Sequence, residues 1–142
     1  MPVAALVLLA GDRRCAIPLT SVLEVARPLP LVQVDRQSPP VLGLARFRGR
    51  PVPVVDLAAV LGVAASPARR FVSLRVGDRA VALAVGDVDG VEWFEPESFS
   101  ALPALVVSSS PGPVAALAER DHELLLVLDG GRLLQHGEEP AA

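Results

Sequence analysis

Few residues in this sequence are of the types that carry out chemistry, and those few lie far apart. The only cysteine is Cys15, and the two histidines are His122 and His136. Glu95 and Glu97 flank a proline, which is typical of a solvated loop rather than of an acid and base pair. A catalytic or metal-binding site needs several such side chains to converge. The sequence also lacks the glycine-rich phosphate-binding motifs. We therefore predict no enzyme activity, no metal and no cofactor.

Three closely spaced arginines could instead contact another protein. Arg46, Arg48 and Arg50 alternate along the chain, so in extended geometry their side chains project to one side. Arginine suits protein contacts because its planar group pairs with carboxylates while its stem packs on apolar surface. The plainer alternative is a solvated strand face. The apolar patch Val22–Val25, with Glu24 in its middle, is a second candidate surface, and its alternative is a place in the core.

Composition narrows the classes of function further. A chain of 142 residues is long enough for one domain with a genuine core. The net charge of −3 gives no support to nucleic-acid binding, which normally uses a basic face. Cys15 has no second cysteine to pair with, which fits a reducing cytoplasm. Met1–Ala10 is apolar, but it is too short to span a bilayer and lacks the charged start of a signal peptide, so we expect a buried strand.

The stretch Val41–Gly62 contains the clearest structural signals. Two apolar runs separated by an Arg-Gly-Arg turn predict a β-hairpin. Asp56 then suits a helix N-cap, because its carboxylate can accept bonds from free backbone N–H groups. Gly62 can adopt the left-handed conformation that ends a helix. We therefore predict a hairpin followed by one short helix.

The rest of the chain is rich in short apolar runs, and its 14 prolines and 11 glycines argue against long helices. Pro18–Ala26 is ambiguous between strand and helical turn, Glu95–Pro113 is predicted to be irregular, and Asp129–Leu134 a final helical turn. The further predicted strands are Val3–Ala10, Arg14–Ile17, Leu29–Val34, Phe71–Val76, Arg79–Val85, Val88–Phe94, Val114–Ala118 and Glu123–Leu128.

Two parts of the sequence recur. The turn Gly11-Asp12-Arg13 returns as Gly77-Asp78-Arg79. The end of the central hairpin, Val54-Val55-Asp56, has a counterpart in Val127-Leu128-Asp129. Such a pattern predicts two similar small β units in one chain. The alternative is chance similarity in a sequence rich in valine, leucine and alanine.

The central stretch resembles the signature of CheW-type chemotaxis coupling proteins, in which a Gly-Val-x-Asn-Leu-Arg-Gly turn precedes a Pro-Val-x-Asp-Leu run. Residues 43–49 and 53–57 hold those places, and the resemblance extends over nearly the whole chain. It implies an all-β fold of two small SH3-like five-stranded β-barrels packed together, with short helical turns. Residues 1–136 would form one CheW-like domain, with barrels near residues 14–66 and 68–128 that exchange terminal segments. Residues 137–142 would be a frayed tail.

The resemblance also implies a function and a set of partner-binding residues. Members of that family are non-catalytic cytoplasmic adaptors that join the cytoplasmic tips of methyl-accepting chemoreceptors to the regulatory domain of a CheA-type histidine kinase. Val22 and Glu24 match a region implicated in partner docking. Arg48 matches the functional arginine of the family and Gly49 its turn glycine, whereas Arg46 replaces an asparagine. The resemblance implies an apolar groove between the barrels that holds the helical tip of the receptor.

Two alternatives to this function stay open. One is a CheW-like interaction module that serves a signalling pathway other than motility. The other is a small β-barrel that binds a ligand or an oligonucleotide, although an acidic chain with 4% aromatic residues is poorly equipped for base stacking.

Overall fold

The computed structural model describes residues 1–33, 40–101 and 114–130. They contain eleven strands, one α-helix, α1 (Leu57–Leu61), and two short 3-10 turns, Leu19–Ser21 and Pro96–Ser98. The strands are β1 (Val3–Ala10), β2 (Arg13–Pro18), β3 (Val22–Ala26), β4 (Val41–Phe47), β5 (Arg50–Asp56), β6 (Arg70–Val76), β7 (Arg79–Val85), β8 (Asp87–Phe94), β9 (Phe99–Ala101), β10 (Val114–Arg120) and β11 (Glu123–Leu128).

The strands form two mixed sheets. The six-stranded sheet has the order β8-β1-β2-β11-β10-β9, and the five-stranded sheet has the order β3-β6-β7-β5-β4. Neighbours pair antiparallel except for β2 with β11 and β5 with β7, which are parallel. This architecture is mostly β, as the sequence predicts. Closure of each sheet into a barrel stays a prediction.

Five strands of the larger sheet match the five strands of the smaller one in order, in agreement with the repeat in the sequence, and β9 has no counterpart among the described strands. Strands β4 and β5 of one sheet correspond to β10 and β11 of the other, and β7 corresponds to β2. Each sheet nevertheless combines strands from both halves of the chain. The five-stranded sheet joins β3, β4 and β5 to β6 and β7, and the other sheet joins β1 and β2 to strands of the second half. The predicted subdomain limits near residues 14–66 and 68–128 remain a prediction.

The hydrophobic core has three layers. A central layer lies between the sheets and holds large buried side chains from both, among them Leu8, Leu74 and Leu83. Each sheet also covers a smaller cluster on its other face, one around Val7 and one around Phe47. Because successive residues of a strand point to opposite faces, a strand between two layers is apolar along its whole length. This explains the nearly continuous apolar run of β1.

The helix α1 begins and ends where the sequence predicts. The carboxylate of Asp56 accepts a hydrogen bond from the backbone N–H of Ala58 at 3.2 Å. Gly62 has φ of 71° and ψ of 26°, the left-handed conformation of a C-cap. Leu57 is fully buried in the central layer. The helix therefore anchors the end of the β4–β5 hairpin to the core.

Several predicted elements differ from the structure. The ambiguous segment Pro18–Ala26 divides into a 3-10 turn and strand β3. In the predicted strand Leu29–Val34, the described residues form only one isolated bridge, between Val32 and Leu44. The segment Glu95–Pro113, predicted to be irregular, contains the short strand β9. Most of the predicted helical turn Asp129–Leu134 and the tail at residues 137–142 lie outside the described residues.

Candidate protein-docking surface

An ion pair links strand β3 to the turn of the β4–β5 hairpin. Arg48 Nε lies 3.4 Å from Glu24 Oε1, although β3 and β4 are the two opposite edges of the five-stranded sheet. The sheet must therefore curl enough to bring its edges together at this end. The side chain of Arg48 is 85% exposed, so solvent weakens the pair and leaves the guanidinium accessible to another molecule.

The turn that presents Arg48 has a fixed geometry. Arg48 has φ of 50° and Gly49 has φ of 83°, so both central residues are in the left-handed region. A two-residue turn of this kind matches the twist of the flanking strands, and glycine reaches it without strain. No neighbouring atom lies within 4 Å of where a Cβ on Gly49 would be, so the glycine serves backbone conformation rather than close packing.

The prediction that three arginines share one side of a strand is wrong. Arg50 pairs with Phe47 across the hairpin, whereas Arg46 pairs with Pro51. Cross-strand partners share a face, and successive residues alternate. Arg50 therefore lies on the face of the buried Phe47, and Arg46 projects from the opposite face. The prediction assumed one continuous extended strand, whereas the turn reverses the direction of the chain between Arg46 and Arg50.

Arg48 and Arg50 border a cleft of about 370 Å³ at this end of the five-stranded sheet. Glu24 from β3 also borders it, together with the buried side chains of Phe47 and Val52. Its full lining is Leu23, Glu24, Phe47, Arg48, Arg50, Val52, Ser73, Arg75, Asp78, Arg79 and Ala80. Glu24 and Arg48 are both predicted partner-binding residues, although the sequence assigns them to two separate surfaces. The residues that β6 and β7 contribute are not predicted.

The missed residues had one signal in the sequence. Asp78 and Arg79 belong to the second copy of the recurring Gly-Asp-Arg turn. That repeat identifies the turn, but its position beside Arg48 depends on the parallel pairing of β5 with β7. Such pairing between distant segments cannot be read from a local pattern.

Val22 and its neighbours belong to a second, apolar surface. Val22 pairs with Leu74 and packs against the central core layer. Val25 on β3 and Val91 on β8 are 41% and 48% exposed. Their partners, Val72 and Leu6, face the central layer, so both valines extend that layer to the edges of the two sheets. Further along β8, Trp93 is 66% exposed and lines an apolar cavity of about 540 Å³ with Leu19 and others.

Comparison with known proteins identifies the family. A model of the CheW-like domain matches residues 4–138. The chain belongs to the CheW-like domain family. A solved structure with a similar fold is the scaffolding protein TtCheW from Thermoanaerobacter tengcongensis, with a TM-score of 0.81 and 18% identity, covering 91% of this chain and 90% of that one. No individually curated protein sequence matches the chain significantly.

The remaining candidate for chemistry in this CheW-like domain is Cys15. Its side chain is fully buried in the central core layer, and this burial raises the pKa of the thiol to about 12. At neutral pH the group is therefore a protonated thiol, which is a poor nucleophile. Among the residues that the structure describes, no three His, Cys, Asp or Glu side chains are grouped closely enough to hold a metal ion. The described part of the chain also contains no helix of sufficient length and apolar character to cross a membrane.

Proposed function

We propose that this CheW-like domain is a non-catalytic cytoplasmic adaptor that couples methyl-accepting chemoreceptors to a CheA-type histidine kinase. Family membership supports this role, and the structural neighbour is itself described as a scaffolding protein. The observation that carries the proposal is the presentation of Arg48, the arginine that matches the family signature. It stands 85% exposed on a two-residue turn beside a cleft, in a position to contact another protein.

The proposed adaptor has two contact surfaces. The apolar edges around Val22, Val25 and Val91 suit the apolar face of a receptor helix. The Glu24–Arg48 pair and the Arg48-Gly49 turn suit the kinase regulatory domain, because an exposed ion pair can exchange its partner at small cost. Arg46 adds a positive charge on the outer face of the same hairpin. An adaptor with both surfaces would hold receptor and kinase side by side.

Charge reversal at Arg48 tests the proposal. We expect Arg48→Glu to fold normally, because the side chain is exposed, and to lower the amount of kinase that co-sediments with receptor fragments roughly tenfold or more. Arg13→Glu is the matched control, because Arg13 is exposed on β2 in the other sheet. Equal co-sedimentation of kinase with the wild type and Arg48→Glu would remove Arg48 from the docking surface. Failure of the wild type to recruit any kinase would count against the coupling role itself.

A second candidate is a CheW-like module that serves a pathway other than motility. The replacement of the family asparagine and leucine by Arg46 and Phe47 favours it, since one of these changes places a charge on the hairpin surface. Recruitment of the kinase without any binding to chemoreceptor tips would support this candidate over the first.

A further inference from the structure

The cleft beside Arg48 is lined by more arginines than carboxylates, and one of these arginines, Arg79, has an interaction of its own. Four arginines line it against only two carboxylates, Glu24 and Asp78. Glu24 pairs with Arg48. Arg50 and Arg75 are both exposed, and neither forms an ion pair with another described residue. The cleft is therefore a basic site in a chain whose net charge is −3.

The strand register places these two arginines on the cleft side. Arg75 pairs with Ala80 across β6 and β7, and Ala80 lines the cleft. Arg50 shares a face with the buried Phe47. Strand β7 lies between the strands of the two arginines, and its Ala80 lines the cleft together with Val52. A ligand that fits must therefore carry negative charge at its ends and an apolar group between them.

We propose that this cleft binds an acidic segment of a partner protein, in which carboxylate side chains flank an apolar one. Guanidinium groups pair well with carboxylates, and their low hydration suits protein interfaces. The volume of about 370 Å³ is at the lower end of the range of about 300–1,000 Å³ found for ligand sites. The apolar floor distinguishes the site from one for free phosphate, for which charge alone would suffice. The one aromatic residue of the lining, Phe47, is buried and offers no platform for base stacking by a nucleic acid. This proposal goes beyond the adaptor role, because it does not depend on which protein carries the segment.

The test uses the full chain and a defined probe. The probe is a fluorescein-labelled peptide in which glutamates alternate with leucines and glycines, and its matched partner has glutamine in place of every glutamate. Fluorescence anisotropy measures the affinity of each. We expect the acidic peptide to bind and the glutamine peptide to bind at least about tenfold more weakly.

Substitutions locate the binding to the cleft. We expect Arg50→Gln combined with Arg75→Gln to weaken the binding of the acidic peptide by about tenfold, since two ion pairs are lost. The control combines Arg13→Gln with Arg69→Gln, which removes the same charge from exposed positions outside the cleft lining and should change the affinity less than twofold. Matching thermal melting curves would show that both variants fold.

Three results would overturn the proposal. The first is equal binding of the acidic and glutamine peptides, and the second is equal loss of affinity in the cleft and control variants. The third is that the acidic peptide does not bind, while the chain binds an oligonucleotide or associates with itself and the cleft variant abolishes that oligonucleotide binding or self-association. That outcome would assign the cleft to nucleic acid or to a second copy of the chain. Because neither receptor nor kinase is present, a negative result leaves the coupling role untouched.

Discussion

The hairpins β4–β5 and β10–β11 are copies of each other, yet their turns carry opposite charges. Arg48 and Asp121 occupy equivalent positions in the two turns, and both have φ of 50°. The cleft behind Arg48 is lined mostly by arginines among its charged residues, whereas the cavity beside Asp121 has an acidic lining that includes Glu95, Glu97 and Glu119. The arginine of the second hairpin lies elsewhere. There Arg120 pairs with Glu92 at 3.4 Å and lies 5.6 Å from the ring centroid of Phe94. The same backbone thus supports an exposed basic surface in one sheet and a stacked arginine in the other.

This difference gives the arginines of the two hairpins different surroundings. In the second unit the Arg120 side chain is also a hydrogen-bond donor to the backbone carbonyl of Trp93, at 3.4 Å. The Phe94 ring contacts Phe99 with centroids 5.9 Å apart. These contacts within the chain leave the Arg120 side chain 40% exposed, about half the exposure of Arg48. Arg48 pairs with Glu24 at 3.4 Å and still retains most of its exposure, so it remains accessible to a partner.

The largest expected effect concerns the core that both units share. Leu83→Ala removes a fully buried side chain from the central layer and should lower the free energy of unfolding by about 2–5 kcal/mol. Because each sheet contains strands from both halves of the chain, we expect one cooperative transition in urea, by fluorescence and circular dichroism alike. Two separate transitions would mean that the two units unfold independently, as two domains rather than as two parts of one domain.

A smaller effect concerns the helix cap at the end of the first hairpin. Asp56→Ala removes the acceptor for the backbone N–H of Ala58 and should cost about 1 kcal/mol. Asp56→Asn keeps a capping oxygen and should cost much less. Urea denaturation of the three proteins measures the difference. Equal stability of the alanine and asparagine variants would show that the cap does not stabilise the end of this hairpin.

The turns themselves should respond to substitution with opposite signs. Gly49→Ala forces a Cβ into φ of 83° and should destabilise the protein by about 1 kcal/mol. His122, at the equivalent position, already has φ of 65°, so His122→Gly should stabilise by about 0.5 kcal/mol. Thermal unfolding of both variants tests this. A loss of stability in His122→Gly would show that the imidazole makes contacts that outweigh the backbone strain.

The smallest expected effect is a difference in stability between loss of the Glu24–Arg48 ion pair and loss of the Glu92–Arg120 ion pair. Glu24→Gln removes the partner of an 85% exposed arginine and should change stability by less than about 0.5 kcal/mol. Glu92→Gln should cost slightly more, up to about 1 kcal/mol, because Arg120 is less exposed and stacks on Phe94. Measurement at low and high salt checks the electrostatic origin. A larger loss for Glu24→Gln would reverse the comparison.

Local signals in the sequence predicted the hairpins and the helix well. Asp56 and Gly62 carry their own capping chemistry, and Val41–Gly62 forms the predicted hairpin and helix. Interactions between distant segments were not predictable in this way. Among the described residues, Val32 forms a single bridge rather than part of a strand, and the short strand Phe99–Ala101 exists because it pairs with β10.

The residues of the candidate surface likewise include some that local sequence predicts and some that depend on distant segments. The family resemblance predicts both Glu24 and Arg48 as partner-binding residues, and the structure brings them within 3.4 Å. Arg46 was assigned to the same side as Arg50, but the two-residue turn separates them. Arg75 was missed because its place beside the cleft depends on how β6 and β7 pair with the rest of the sheet. The positions of Arg46 and Arg75 thus depend on turn geometry and on the pairing of distant strands, which local sequence patterns do not determine.

The exchange of strands between the halves has a consequence for the origin of the chain. In the six-stranded sheet, β1 and β2 from the first half of the chain are completed by strands of the second half. In the five-stranded sheet, the copies of β1 and β2 are completed by β3, β4 and β5 from the first half. A half-length ancestor with this connectivity could complete both sheets by exchanging strands with a second copy, as a swapped homodimer. Fusion of the two genes would then have freed each twin to diverge, so that one turn could gain an arginine where the other holds an aspartate.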